Sequence, residues 1–182
     1  MLILIGPSAS GKTEVANLLV KTKNFKKIVT CTTRPIRVGE INGVSYHFLT
    51  TEEFQKMKDN DEFVETASYS SYYYGTRKVD VANDKLVILE PNGFRTFKRV
   101  MKDQILSVFL ETSEEVRINR MKLRQDKPEN IAARITNDRL TFTDELKNEV
   151  DYVVVNDNKS LDELAEEIYI IYVKKFMQNK GV

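Results

Sequence analysis

The sequence predicts an α/β fold in which a central parallel sheet is flanked by helices and carries two inserted segments. Three observations lead there. Short apolar runs recur at residues 2–5, 28–30, 86–89, 105–110 and 152–155, and most lack polar alternation, as strands buried on both faces do. Helical patterns lie between or after several of them, at 12–21, 94–101 and 161–176. Two stretches, 31–80 and 113–148, are too long and varied to be simple crossovers. The expected organisation is a single domain with a core of residues 1–30, 81–112 and 149–182 and two inserts at 31–80 and 113–148.

The first run leads into Gly6-Pro7-Ser8-Ala9-Ser10-Gly11-Lys12-Thr13, a full match to G-x-x-x-x-G-K-[ST]. A strand before it and a helix after it, with Val15, Leu18 and Leu19 on one face, supply the context this motif requires. Glycines let successive backbone N–H groups converge on an anion, and the helix N-terminus adds partial positive charge. Lys12 would reach the β- and γ-phosphates of a nucleoside triphosphate, and the Thr13 hydroxyl would ligate Mg²⁺. Within 31–80 the pattern predicts a turn at 37–43, a strand at 45–49, a short helix at 51–58 and a tyrosine-rich strand region at 63–74. Thr50 followed by Glu53 forms a capping box before that helix. The stretch 113–148 carries arginines at 117, 120, 124, 134 and 139. Ser113 with Glu115 starts its first helix, Lys127-Pro128 breaks it, and a second helix resumes near Glu129. Two helices joined by a polar, proline-bearing hinge read as a mobile lid. Ser160 offers an N-cap for the last helix.

Composition excludes several classes. With 182 residues, 41% hydrophobic and 30% charged, the chain can bury one real core. A net charge of +1 gives no basic excess for nucleic acid. No apolar stretch is long enough to span a membrane, and the apolar run at 2–5 is too short and lacks the basic lead of a signal peptide. A single cysteine, Cys31, rules out an internal disulfide and fits a reducing cytoplasm. One His and one Cys leave no zinc site, so His47 and Cys31 read as structural or incidental.

A second constellation follows in 31–80. Thr32-Thr33-Arg34-Pro35-Ile36-Arg37 sets two arginines three apart in a turn, and Pro35 restricts Arg34 to extended geometry. Two guanidinium forks suit a phosphate dianion. Then come Gly39-Glu40, Gly43-Val44-Ser45-Tyr46-His47-Phe48, Glu62-Phe63-Val64-Glu65 and Tyr73-Tyr74-Gly75-Thr76. Taken singly, these residues also fit ordinary roles: solvated arginines, a packed strand, a surface carboxylate, a salt-bridged helix pair. Their order and spacing, S-x-T-T-R-x-x-R-x-G-E, G-x-x-Y-x-F, E-F-x-E and Y-Y-G-[ST], resemble the guanylate kinases of the nucleoside monophosphate kinase group, over about residues 1–170.

The resemblance implies a P-loop kinase with a GMP-binding insert and a lid, moving the γ-phosphoryl of ATP onto GMP with Mg²⁺. It implies that Arg34, Arg37, Tyr46 and Tyr74 hold the GMP phosphate. Glu65 would accept hydrogen bonds from guanine N1–H and the 2-amino group, with Thr76 and Thr30 completing the pocket. Lid arginines Arg124 and Arg134 would act with Lys12 on the transferring group, and Asn156 falls where the family touches the ATP base. The family's [DE]-I-D-x-Q-G is Ile88-Leu89-Glu90-Pro91-Asn92-Gly93 here, so only Glu90 keeps a carboxylate, to read the nucleotide or order Mg²⁺-bound water. The lid's R-G-T-D becomes Arg124-Gln125-Asp126-Lys127-Pro128, one residue shorter. Two alternatives stay open at this point: a P-loop kinase for a different phosphorylated acceptor, and a catalytically silent guanylate-kinase-like module that binds protein.

Overall fold

The structure is a computed structural model that describes residues 1–69, 71–82 and 84–177. Five parallel strands form the central sheet: β1 (Leu2–Ile5), β2 (Lys26–Lys27), β7 (Lys85–Ile88), β8 (Leu106–Glu111) and β9 (Tyr152–Val155), in the order β2-β7-β1-β8-β9. β1 sits at the centre, with Leu2 in register with both Leu86 and Leu106. Its four side chains are completely buried and alternate between faces. Leu2 and Leu4 pack with Val15 and Leu19 of α1 (Lys12–Thr22) and with Leu164 and Ile168 of α7 (Leu161–Met177). Ile3 and Ile5 pack on the other face with Phe94 and Phe97 of α3 (Pro91–Met101) and with Leu146 of α6 (Asp144–Glu149). At about 1.5–3 kcal/mol for each such side chain, this double burial fixes the sheet centre and the loop that leaves it.

Two strand expectations are corrected. Residues 28–30 are not a strand: the chain leaves the central sheet after Lys27 and enters a second sheet at Cys31, so this run is the crossing between two sheets. The run 152–155 is not buried on both faces. β9 is the sheet edge, where only Val154 is covered while Tyr152, Val153 and Val155 stay exposed. A buried parallel strand and an apolar edge strand read alike in sequence. Helix α6 was not expected, because four of its six residues are charged and only one, Leu146, is a buried apolar side chain.

The segment 31–80 builds its own four-stranded sheet, ordered β4-β3-β6-β5, from β3 (Cys31–Thr32), β4 (His47–Phe48), β5 (Phe63–Tyr69) and β6 (Tyr72–Arg77). The tyrosine-rich region is thus a hairpin of two antiparallel strands; Ser70 within it lies outside the described residues. Helix α2 (Thr51–Asp59) covers the sheet and carries the expected reciprocal cap: Thr50 Oγ1 accepts from Glu53 N at 3.1 Å, and Thr50 N donates to Glu53 Oε2 at 2.8 Å. Phe54 of α2 stacks on Phe63 with ring centroids 4.7 Å apart. The segment 113–148 contains α4 (Glu114–Leu123) and α5 (Pro128–Thr141), with Pro128 in the first turn of α5, where its missing N–H costs nothing. Ser113 makes no side-chain cap; its backbone N donates to Asp157 Oδ1 at 2.7 Å.

Candidate active site

Residues 6–11 join the end of β1 to the start of α1, at the carboxyl edge of the central strand, where open α/β sheets receive ligands. Gly11 caps α1 in the left-handed region at φ 96°, and a Cβ there would stand 2.7 Å from Asn156 Nδ2, so glycine is required. The first amides of α1 have no intrahelical partner and face the loop. Lys12 Nζ donates to the carbonyls of Gly6 and Pro7, each at 2.7 Å, and lies 3.4 Å from Ser10 Oγ. Burial lowers its pKa to about 8, against the opposing pull of Glu90 and Asp138. Thr13 is exposed beside it.

Asn156 is 4% exposed and turns its amide onto the Ser10 carbonyl at 2.8 Å, so it braces the phosphate loop from β9. It also lines a cleft of about 330 Å³ with Gly11, Glu14, Arg120, Arg124 and Leu164. Glu90, at the head of α3, opens onto solvent yet is ringed by protein, as a cleft residue is. That surrounding desolvates the carboxyl and raises its pKa, while the Lys12 ammonium pulls it down. Ile88, where the family pattern has an acid, packs against the core face of α1 and α7.

The second sheet carries the other group of candidate residues. Arg34 is 7% exposed and locked: its Nη2 meets Glu40 Oε1 at 2.6 Å and its Nη1 donates to Pro35 O at 2.7 Å. The guanidinium lies 5.5 Å from the Tyr46 ring and 5.6 Å from the Phe48 ring, and Tyr46 stands edge-on to Tyr74 at 6.2 Å. Arg34, Tyr46 and Tyr74 therefore converge. Arg37 is exposed on the same turn, its backbone N donating to Glu40 Oε2 at 2.8 Å. Glu40 thus organises both arginines, a role its place in the R-x-x-R-x-G-E spacing did not disclose. Glu65 on β5 is buried and accepts from Thr76 Oγ1 at 2.7 Å. A Cβ on Gly93 would come within 3.0 Å of Glu65 Oε2, so a bare backbone on α3 leaves room for that carboxylate. Burial raises the Glu65 pKa, opposed by the hydrogen bonds of Thr76. Thr30 is half-buried at the crossing, its carbonyl accepting from His47 N at 2.9 Å.

In the segment 113–148, Arg134 Nη1 and Arg124 Nη2 reach Asp126 Oδ2 at 2.9 and 3.4 Å, so the ordinary salt-bridge reading describes their present contacts. Arg120 and Arg117 are nearer the phosphate loop: Arg120 donates to Ala9 O at 3.2 Å and Asn156 O at 2.9 Å, and Arg117 pairs with Asp138 at 2.7 Å. The spacing 117, 120, 124 places all three on one helical face, a signal the sequence carried. Asp138 gave none. Among the described residues no group of three or more His, Cys, Asp or Glu can hold a metal ion. A hydroxyl and one cleft carboxylate fit Mg²⁺, which keeps waters and binds largely through substrate phosphates.

A phosphate loop at the end of the central strand and a separate arginine–tyrosine cluster on a second sheet, on this α/β frame, make the chain a P-loop nucleoside monophosphate kinase. The family model described as "Guanylate kinase" matches residues 1–174. The guanylate kinase of Agrobacterium fabrum is 34% identical over 87% of this chain and 75% of its own length. That of Campylobacter jejuni strain RM1221 is 32% identical over 100% and 91%. The crystal structure of guanylate kinase from Anaplasma phagocytophilum superposes with a TM-score of 0.70 at 29% identity, covering 97% of this chain and 86% of that one. The chain belongs to the guanylate kinase family.

Proposed function

We propose that the protein transfers the γ-phosphoryl of ATP to GMP, giving ADP and GDP, with dGMP as a further acceptor. The observation that carries this is the buried Glu65–Thr76 pair on the sheet that also holds Arg34, Tyr46 and Tyr74. One carboxylate offers two acceptors to guanine's adjacent N1–H and N2–H donors, while adenine would turn a lone pair toward it. Arg34 and Arg37, with the Tyr46 and Tyr74 hydroxyls, take the monophosphate, and Thr30 and Thr76 close the base pocket. ATP lies along residues 6–13, its base in the cleft beside Asn156 and its phosphates on the α1 amides and Lys12. Mg²⁺, held through Thr13 and the phosphates with Glu90 available to order its waters, would neutralise charge on the triphosphate.

No general base is needed, because the attacking atom is already a phosphate oxygen. The protein's work is alignment and electrostatic stabilisation. Arg124 and Arg134 would exchange Asp126 for the transferring phosphoryl as the lid segment 113–148 and the insert 31–80 close, excluding water. No helix among the described residues is long and apolar enough to cross a membrane, and a cytoplasmic setting agrees with the lone, buried Cys31. A coupled assay with ATP and a panel of monophosphates tests the reading. GMP should be used far better than AMP, CMP or UMP; equal use of several, or of none, would overturn it.

A further inference from the structure

Three observations meet at the turn Ser8-Ala9. Ala9 sits in the left-handed region at φ 60°, a conformation that is strained for any residue with a Cβ and persists only when its surroundings over-determine it. Immediately before it, Ser8 is held from the lid: its backbone N donates to Asp138 Oδ2 at 3.0 Å and its hydroxyl to Asp138 Oδ1 at 3.2 Å. Asp138, 3% exposed on α5, is matched by Arg117, 6% exposed on α4, whose Nη1 reaches Asp138 Oδ2 at 2.7 Å and Ser8 O at 3.4 Å. The Ala9 methyl packs with Ile118, Met121, Ile131 and Ile135 of the two lid helices, and Arg120 holds the Ala9 carbonyl.

A buried carboxylate survives only when charge and hydrogen bonds compensate its lost hydration. Here every one of its partners is either the phosphate loop or the arginine that also touches the loop. We propose that Asp138 is a positioning residue for the reaction: neutralised by Arg117, it pins Ser8 from lid helix α5 and holds the strained turn at Ala9 in the shape that receives the triphosphate. Asp138 itself touches no substrate; it acts through Ser8. The proposal rests on the ATP-dependent reading of the site, and the wild-type protein's own ATP and GMP kinetics check that reading separately.

The test compares wild type, Asp138→Ala, and the double replacement Arg117→Leu/Asp138→Leu, each with and without Ala9→Gly. Replacing both members of a buried ion pair by apolar side chains commonly preserves folding, so the double variant keeps the question answerable if Asp138→Ala unfolds. Losing charge-assisted hydrogen bonds of this kind should raise KM for ATP about tenfold or more, with KM for GMP nearly unchanged. Ala9→Gly, which removes the strain, should recover much of that rise. A purely structural pair would lower thermal stability and active fraction without splitting the two KM values. An unchanged KM for ATP in the folded double variant, or an effect that Ala9→Gly does not reduce, would overturn the proposal.

Discussion

Burial holds the Lys12 ammonium near a pKa of about 8, and this makes its charge pH-dependent in an accessible range. Below about 8 the free protein presents an ammonium to phosphate; above it, a neutral amine. Since kcat/KM reports ionisations of the free enzyme, kcat/KM for ATP should fall as pH rises through about 8. Lys12→Arg keeps the charge at every pH and should lose that limb. Lys12→Ala should cut turnover by about 10²-fold or more, the scale of one preorganised electrostatic contact; wild-type turnover would remove Lys12 from the mechanism. On the proposed reading of the base pocket, Glu65 sets the opposite limb. Its carboxylate must be ionised to accept both guanine donors, and burial raises its pKa above the ordinary value. Use of GMP should therefore fall on the acid side earlier than an exposed glutamate would cause, while ATP binding stays level. Glu65→Gln offers one acceptor beside one donor, so it should abolish this limb and narrow the preference for GMP over AMP, which in such a site can reach ~10⁴-fold. An intact preference in that variant would mean that Glu65 does not read the base.

At the scale of elements, the insert depends on how the turn between β3 and β4 holds its arginines. Glu40 ties the Arg34 side chain and the Arg37 backbone together, and Arg34 is otherwise buried against two aromatic rings. Glu40→Ala should leave that guanidinium free to swing and weaken GMP binding by about tenfold, with ATP binding unchanged in separate calorimetric titrations. Equal weakening of both would mean that the turn acts through closure instead. The elements themselves were largely legible. Apolar runs without alternation marked β1, β7 and β8, a capping box marked α2, and Lys127-Pro128 marked the start of α5. What the sequence could not show was partnership. The run at 28–30 looks like a strand but spans two sheets, and β9 looks buried but is an edge, because both depend on which neighbour lies alongside. The site followed the same rule. Lys12 stood out by the spacing of its own motif, and Arg34, Glu65 and Thr76 through the family patterns they match, whereas Glu40 and Asp138 gain meaning only from the three-dimensional contacts they make with residues far along the chain or across a turn.

For the whole molecule, the contacts differ sharply along the segment 113–148. Its inner half is fastened: Arg117, Asp138 and Arg120 bond the phosphate loop, and Ile131 and Ile135 pack with Met121 around Ala9. Its tip is loosely held. Arg124 and Arg134 share Asp126 through side chains that are 49%, 34% and 24% exposed, and pairs of this kind contribute only about 0–1 kcal/mol. Phosphate oxygens with full charge can therefore take both arginines from Asp126 at little cost, and the break at Gln125, with φ 61°, supplies a turn between α4 and α5 about which the tip can pivot. Closure should then be a movement of the tip and the insert toward a fixed phosphate loop. Hydrogen exchange with and without a two-substrate analogue reads this directly. Protection should rise across 31–80 and around 123–130 and change little at 131–141, which are already anchored. A uniform rise through the whole of 113–148 would mean that the lid moves as one body and that the Asp138 anchorage releases, and no change in either segment despite confirmed binding would mean that the cleft shown here is already closed.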